Sequence, residues 1–413
     1  MKLQPNVKLR LLIMFMQNTS TNSVLPFMAL LLTHYLGGRK AGVILIVGIA
    51  IKLISSILGG YISDTLKVKK YSPAFITFIS ALMYLGMGIT LLYIENNNTI
   101  ILLIFIILYL INEFMSAISK PMYNALALDS ISEETRKKYS KVKYWVSNNS
   151  MALGMLIGGL FYNSYKTKLF ILIFVSLFIN VIILLIFIQE TEKPKAISNK
   201  NFISQIFNSY KSVYKNKPFI IFLICGMMIL SAEVSLPSYV AVRLKSDFRI
   251  IQLNSFEIDG IRMFSLLLIL NTLTIVFLSF FILNRFKNLS SSVILKIGFI
   301  LFAVGYTVVI SNNNFYILVA FILIATIGEI LFTPTYEAEK IKLIPVGERG
   351  SYSGLDSLLI IGAELLSRLF LIIGTLIPPI LMSLLICIIV CSGFSLLLFT
   401  LSRHKTNKGI TEI

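Results

Sequence analysis

The sequence predicts an all-α polytopic membrane protein, with twelve membrane-spanning helices in two pseudo-symmetric bundles of six. Three observations carry this. Hydrophobic residues make up 56% of the 413 and charged residues 14%, with a mean hydropathy of +0.85. A soluble chain of this length needs far more charge to cover its surface, so the solvent is lipid. Apolar runs of spanning length, about 20 residues, recur at 11–34, 42–63, 71–94, 99–119, 144–164, 168–188, 218–241, 262–284, 291–311, 315–334, 354–377 and 380–402. Finally, the stretch Pro121 to Ser140 returns 213 positions later as Pro334 to Ser353. Pro121/Pro334, Tyr123/Tyr336, Ala125/Ala338, Ile131/Ile344, Arg136/Arg349, Tyr139/Tyr352 and Ser140/Ser353 are identical without a gap. Each copy leaves one apolar run, turns through a basic loop and enters the next, as an internal repeat of a helix bundle does.

Taken in order, residues 1–188 form the first bundle, 189–217 a polar linker and 218–413 the second bundle. Met1 to Arg10 leads into an apolar run without a small-residue cleavage site, so the first segment stays as a helix. The linker carries Lys193, Lys195, Lys200, Lys211, Lys215 and Lys217. Its stretch Phe202 to Tyr214 is amphipathic enough to lie on the membrane surface. An even number of spans puts both termini on one side. Most of the 37 Lys and Arg residues fall on the termini, the linker and alternate loops, which makes that side cytoplasmic in a cell membrane. The outer loops, such as Glu95 to Asn98 and Ser311 to Asn314, are short. The exception, Arg243 to Gly260, is long enough for a short surface helix.

The net charge of +18 sits in short clusters between apolar runs rather than in a continuous patch, which argues against nucleic acid as a partner. Cys225, Cys387 and Cys391 lie inside apolar runs and read as small buried hydrophobes, with neither metal spacing nor an outer-loop position for a disulfide. His34 and His404 are the only histidines, and no nucleophile stands with a base, so the expectation is not an enzyme and no metal or cofactor. No Walker-type loop offers ATP as a driver.

Between spans two and three the chain reads Gly59-Gly60-Tyr61-Ile62-Ser63-Asp64-Thr65-Leu66-Lys67-Val68-Lys69-Lys70. This resembles the Gly-x-x-x-Asp-(Arg/Lys)-x-Gly-(Arg/Lys)-(Arg/Lys) signature of the major facilitator superfamily. Gly60, Asp64 and Lys69 match, while Thr65 and Lys67 depart. Ser150 to Gly159 in span five resembles the superfamily's antiporter signature Gly-x-x-x-Gly-Pro-x-x-Gly-Gly. Gly154, Gly158 and Gly159 match, and Ser150 and Met155 replace the first Gly and the Pro. Lys143-Tyr144-Trp145 followed by Asn148, Gly328-Glu329 before Pro334, and Arg349 to Gly354 look like the bacterial drug:proton antiporter branch. Where that branch often has an Arg in span four, this chain has Leu110.

The resemblance covers essentially the whole chain. It implies the major facilitator fold and a proton-coupled secondary transporter. Such a protein, working as a monomer in the bilayer, exports amphipathic drug-like or other small organic compounds by alternating access. It also implies that Gly60, Asp64 and Lys69 belong to a conformational latch in which Asp64 meets the start of span eleven near Gly354. The physics agrees, because a carboxylate is stabilised by the backbone N–H groups and partial positive charge of a helix start. Gly154, Gly158 and Gly159 allow a neighbouring helix to approach closely in any membrane bundle.

An ionisable residue inside a span is costly and marks function by default. Lys52, Glu113, Glu233, Glu329, Glu364 and Arg368 are the clearest here. The family lines its central cavity with spans one, four, seven and ten, and Glu113, Glu233 and Glu329 fall on three of these. Span one offers Asn18 to Ser23 instead, and aligning Pro26 with Pro237 places Asn22 at the position of Glu233. Glu113 lies eight residues from Pro121, about 12 Å along a helix, and Lys52 twelve from Asp64, about 18 Å, so both are near the midplane. Glu364 is also deep, whereas Glu329 is nearer the cytoplasm and Glu233 lies in the outer half. Glu364 and Arg368 share a helical face at i, i+4 and can neutralise each other.

Glu113 has no basic residue at helical spacing closer than Lys120. It is therefore the leading proton-coupling candidate, ahead of Glu364, Glu329 and Glu233. Lys52 can meet either Glu113, across spans two and four, or Glu364. Asn18, Asn22, Lys52, Asn112, Tyr123, Trp145 and Arg368 complete the candidate substrate cavity. Two other readings stay open. Proton-coupled uptake of a nutrient such as a small peptide is one, although Gln17-Asn18-Thr19-Ser20-Thr21 stands where peptide transporters carry Glu-x-x-Glu-Arg. A non-transporting membrane protein is the other.

Overall fold

Six helical spans make up each half of the chain in the computed structural model, which describes residues 5–65, 71–94, 99–128, 133–187, 215–253, 256–286, 288–343 and 349–410. The chain divides into two units, Met1–Ile197 and Ser198–Ile413. Among the described residues, eight helices are long and apolar enough to cross a membrane. One of these, Val146–Phe187, contains a break and supplies two spans.

In the first unit, span one is Pro5–Asn22, a 3-10 turn at Leu25–Phe27 and the opening residues of Met28–Thr65. Pro26 lacks the N–H that would continue the helical ladder, which is why the run breaks there. Several polar residues before it bond to their own helix. Ser20 Oγ donates to Met16 O at 2.9 Å, Thr21 Oγ1 to Gln17 O at 2.8 Å, and Ser23 Oγ to Ser20 O at 2.6 Å. Such back-bonding takes these groups out of play for a ligand and bends the helix.

Met28–Thr65 is itself broken at Gly37, with φ 76° and ψ 159°, and the remainder is span two. Only a residue without Cβ takes that φ freely. Tyr71–Tyr93 and Thr99–Leu128 are spans three and four. Glu133–Phe187 carries spans five and six on either side of Tyr165, at φ −136° and ψ 35°. Span one packs on span five, span two on span four, and span three on spans four and six.

In the second unit, span seven is Lys217–Val234, a π-turn at Leu236–Val240 around Pro237, and Ala241–Asp247. Span eight is Gly260–Phe286, span nine Ser291–Ser311, span ten Phe315–Ile341, span eleven Arg349–Ile373 and span twelve Pro379–Ile410. Spans nine and ten share the closest seam, with Gly298 and Gly305 facing Gly328 and Ala325 backbone to backbone. Phe280, Phe281 and Ile388, exposed by 74%, 68% and 63%, stand on the faces that lipid covers.

The connection after span seven differs from expectation. Instead of a separate surface helix, span seven runs on to Asp247, and a hairpin follows, Ile251–Leu253 with Phe256–Ile258, antiparallel with Ile251 opposite Ile258. Two local contacts favour the hairpin: Asp259 Oδ1 accepts from Arg262 N at 2.8 Å, and Arg262 Nη1 donates to Glu257 O at 2.5 Å. Arg243, buried near the C-terminal end of span seven, closes the C-terminal end of span nine. Its Nη2 donates to Val309 O at 3.1 Å and Asn312 O at 2.8 Å, and its Nη1 to Asn313 Oδ1. A cation on those last carbonyls complements the negative end of the helix dipole.

The amphipathic stretch 202–214 of the linker and Lys69 lie outside the described residues. Gly60 and Asp64 stand on Met28–Thr65, and Trp145 on Glu133–Phe187, but their surroundings lie outside what is described. The latch is therefore neither seen nor contradicted.

Candidate functional site

Two polar clusters interrupt the apolar interior, one in each unit. The second unit's is built around span ten. Its helix starts cleanly, because the N-cap Asn314 accepts from Tyr316 N at 3.0 Å and Ile317 N at 3.3 Å. Gly328 lets span nine approach, and the next residue, turned about 100° round the helix, is Glu329. Glu329 Oε2 accepts from Asn271 Nδ2 of span eight at 2.8 Å and from Tyr306 OH of span nine at 3.5 Å. Asn271 Nδ2 also reaches Thr326 Oγ1 at 3.1 Å, one turn before Glu329. Thr326 spends its own proton on Ile322 O at 2.7 Å. Glu233 of span seven lies close enough for its charge to act on both Glu329 and Tyr306.

The π-turn begins just beyond Glu233, and span eleven staples it. Ser367 Oγ donates to Val234 O at 2.8 Å, and it also meets Ser238 Oγ. Among the described residues neither Glu233 nor Glu329 has an ion-pair partner. Two carboxylates within electrostatic reach of each other, both part-buried and neither ion-paired among the described residues, are suited to hold a proton or a cation.

The first unit's cluster joins spans two and four. Lys52 Nζ stands 3.8 Å from Glu113 Oε2, the two side chains being 36% and 10% exposed. Gly48, one turn before Lys52, leaves the room that Tyr109 and Glu113 occupy; a Cβ there would lie 3.2 Å from Tyr109 OH and 3.6 Å from Glu113 Cγ.

The sequence profile of the Major Facilitator Superfamily matches residues 10–363. The chain belongs to this superfamily. It is accordingly a multi-pass membrane transporter and not an enzyme. Over 369 residues it is 21% identical to a Na(+), Li(+), K(+)/H(+) antiporter of Planococcus maritimus, covering 86% of this chain and 85% of that one. It is 22% identical over 341 residues to the MFS-type transporter YqjV of Bacillus subtilis (strain 168), covering 81% and 78%. Among solved structures it is similar to a POT family transporter in complex with 5-aminolevulinic acid, at TM-score 0.74, 14% identity and 96% of each chain. It is also similar to the nucleoside transporter NupG, at TM-score 0.72 and 15% identity, covering 96% of this chain and 99% of that one. At these identities the structural likeness is one of fold.

Within this superfamily fold the candidate residues sort into several groups. Glu233 and Glu329 lie within electrostatic reach of each other, and Lys52 pairs with Glu113. Asn112 turns away from the pair: it is 1% exposed and accepts from Ser80 Oγ of span three at 2.6 Å. Tyr123 OH meets Thr77 Oγ1, also of span three, at 2.9 Å. Both residues therefore hold spans three and four together. Asn22 donates to Asn18 O at 2.8 Å and lies where span five comes closest. A Cβ on Gly154 would stand 2.9 Å from Asn22 Cβ, and one on Gly158 2.5 Å from Ser23 O. The glycines of the antiporter-like signature thus seat the polar part of span one. Gly159 is buried beside them. On span eleven, Glu364 is half-buried, and Arg368 Nε and Nη1 are buried with no hydrogen-bond partner among the described residues.

Sequence reasoning missed Asn271, Tyr306 and Thr326. The signal was present in Asn271, a lone amide in the run Leu266 to Val276. An amide in hydrocarbon demands a partner on a neighbouring helix.

The Lys52–Glu113 contact makes a testable claim. Glu113→Gln is expected to lower thermal stability by about 1–2 kcal/mol, below the cost for a fully buried pair, because Lys52 keeps partial access to solvent. Lys52→Gln alone should cost a similar amount, and the double variant less than the sum of the two. Unfolding measured on the four proteins gives the coupling; strictly additive losses would mean the pair contributes nothing.

Proposed function

We propose that the chain is a proton-coupled antiporter that exports a small cationic compound. The observation that carries the reading is the Glu329 carboxylate accepting from Asn271 and Tyr306, with Glu233 within electrostatic reach and no basic side chain paired to either acid among the described residues. A site that holds a proton or a cation, but not both at once, exchanges one for the other when access alternates between the two sides. The antiporter-like glycines of span five and the relative named as a Na(+), Li(+), K(+)/H(+) antiporter support the same direction. The resemblance to the drug:proton branch points to amphipathic organic cations as the substrate class.

A second reading, proton-coupled uptake of a carboxylate-bearing nutrient such as a small peptide, is favoured by Arg368. A guanidinium with Nε and Nη1 buried and unpartnered is suited to a carboxylate. Purified protein in vesicles with an acidic lumen separates the two. External tetraphenylphosphonium, or Na+, Li+ or K+, is expected to draw protons out, and the four cations tell an organic from an alkali substrate. If only a dipeptide moved protons, and moved them in its own direction, the uptake reading would replace the first.

A further inference from the structure

At the end of the second unit where the C-terminal tail leaves span twelve, a groove of about 450 Å³ opens between spans nine, ten and twelve. Its polar wall is Ser291, Ser292 and Lys296 from the start of span nine, with Glu339 near the end of span ten. Its apolar wall is Leu295, Leu398, Phe399 and Leu401. Outside the groove the surface continues as exposed apolar side chains, among them Val293, Ile300, Leu396 and Phe399, so the groove opens sideways onto lipid.

We propose that this groove binds an anionic phospholipid, its phosphate on Lys296 and the first turn of span nine and its acyl chain along Phe399 and Leu398. Lys296 stands five residues after Ser291, about 7.5 Å inside the helix. A lysine at that depth lifts its ammonium to the headgroup level along its own stem. Among the described residues it makes no ion pair. The acid in the groove, Glu339, is already held by Lys342 Nζ at 2.6 Å. Lys296 is thereby left as the uncompensated charge, with Lys342 balancing Glu339.

The helix start adds donors. The N-cap Ser290 makes no side-chain capping bond, and its carbonyl takes up only Val293 N and Ile294 N, at 3.0 and 3.1 Å. The N–H groups of Ser291 and Ser292 therefore face outward from the positive end of the dipole. An ammonium, two hydroxyls and two amides at headgroup depth, above an apolar trough, match a phosphate joined to an acyl chain. They do not match the zwitterionic headgroup of phosphatidylcholine, whose choline would meet Lys296. This groove shares no residue with either carboxylate cluster, and the inference does not rest on the transport reading.

Native mass spectrometry of the full chain, purified and equilibrated with equimolar dioleoylphosphatidylglycerol and dioleoylphosphatidylcholine, tests the proposal. The expected result is retention of phosphatidylglycerol in preference to phosphatidylcholine. In Lys296→Gln that retention falls about fivefold, one lysine's share of the attraction to an anionic lipid. In Lys168→Gln, which removes an exposed lysine of the first unit, it is unchanged. Thermal unfolding in phosphatidylcholine alone should be the same for Lys296→Gln and the wild type, which separates lost lipid from lost fold. Equal retention of the two lipids, an undiminished preference in Lys296→Gln, or displacement by millimolar inorganic phosphate without the acyl chain would each overturn it.

Discussion

Glu329→Gln is expected to abolish proton-driven exchange while leaving a folded protein. The geometry explains both halves of that outcome. A glutamine has the same length, and its Oε1 can still accept from Asn271 Nδ2, which stands 2.8 Å from the carboxylate, and from Tyr306 OH. The loss in stability is then within about 1 kcal/mol. Removing a formal charge within electrostatic reach of Glu233 works in the stabilising direction, since like charges in a part-buried site repel. Yet the amide cannot exchange a proton, and the carboxylate that a cation would compete for is gone. Exchange of substrate down its own gradient can survive, because alternation needs no titration at a permanently neutral site. The measurement is substrate-driven proton release from purified wild type and variant, with thermal unfolding on the same samples. Undiminished release from a stable Glu329→Gln protein would transfer the coupling role to Glu233, Glu113 or Glu364.

Gly328→Ala is expected to cost about 3 kcal/mol of stability for a single methyl group, the upper part of the range for overpacking a closed interface. The added Cβ would fall on Phe302 N, 2.7 Å from Gly298 O and 2.8 Å from Leu301 C. All three are backbone atoms of span nine, so no side-chain rotation relieves the clash and the two helices must separate. Separation also withdraws Tyr306 from Glu329, so activity should fall beyond what the lost fold explains. Gly86→Ala is the control. Its Cβ would meet only the tip of Leu108, at 2.9 Å, a flexible group that can move, and the expected cost is about 1 kcal/mol or less. Equal unfolding temperatures for Gly328→Ala and the wild type would show that the seam between spans nine and ten is looser than its backbone spacing indicates.

The spans and the repeat were legible because lipid allows only a helix to cross, and hydrophobic length then locates it. The packing role of Gly154 and Gly158 was equally readable, since a missing Cβ acts locally. Partners across helices were not. Lys52 could meet either Glu113 or Glu364 as far as spacing tells, and only the structure selects Glu113. Asn112 and Tyr123 looked available for a ligand, whereas span three takes up both. In the polar run of span one, Ser20, Thr21, Asn22 and Ser23 likewise spend themselves on their own backbone. Asn271 and Tyr306 went unnoticed because a neutral polar residue in an apolar run announces a partner without saying which. The hairpin after span seven was missed because each strand has three residues, too few for an alternating pattern.

The breaks at Gly37 and Tyr165 carry a mechanical consequence for the first unit. One residue spans at most about 3.8 Å between neighbouring Cα atoms, less than the 5.4 Å pitch of a helical turn. Two helices laced through such a junction cannot slide past each other by a turn, so spans one and two keep their axial register, and so do spans five and six. Relative motion inside each pair is confined to tilting about its laced end, and that end acts as a pivot. The opposite ends of these spans, which are not joined in this way, have the longer lever arm and travel further for the same angle.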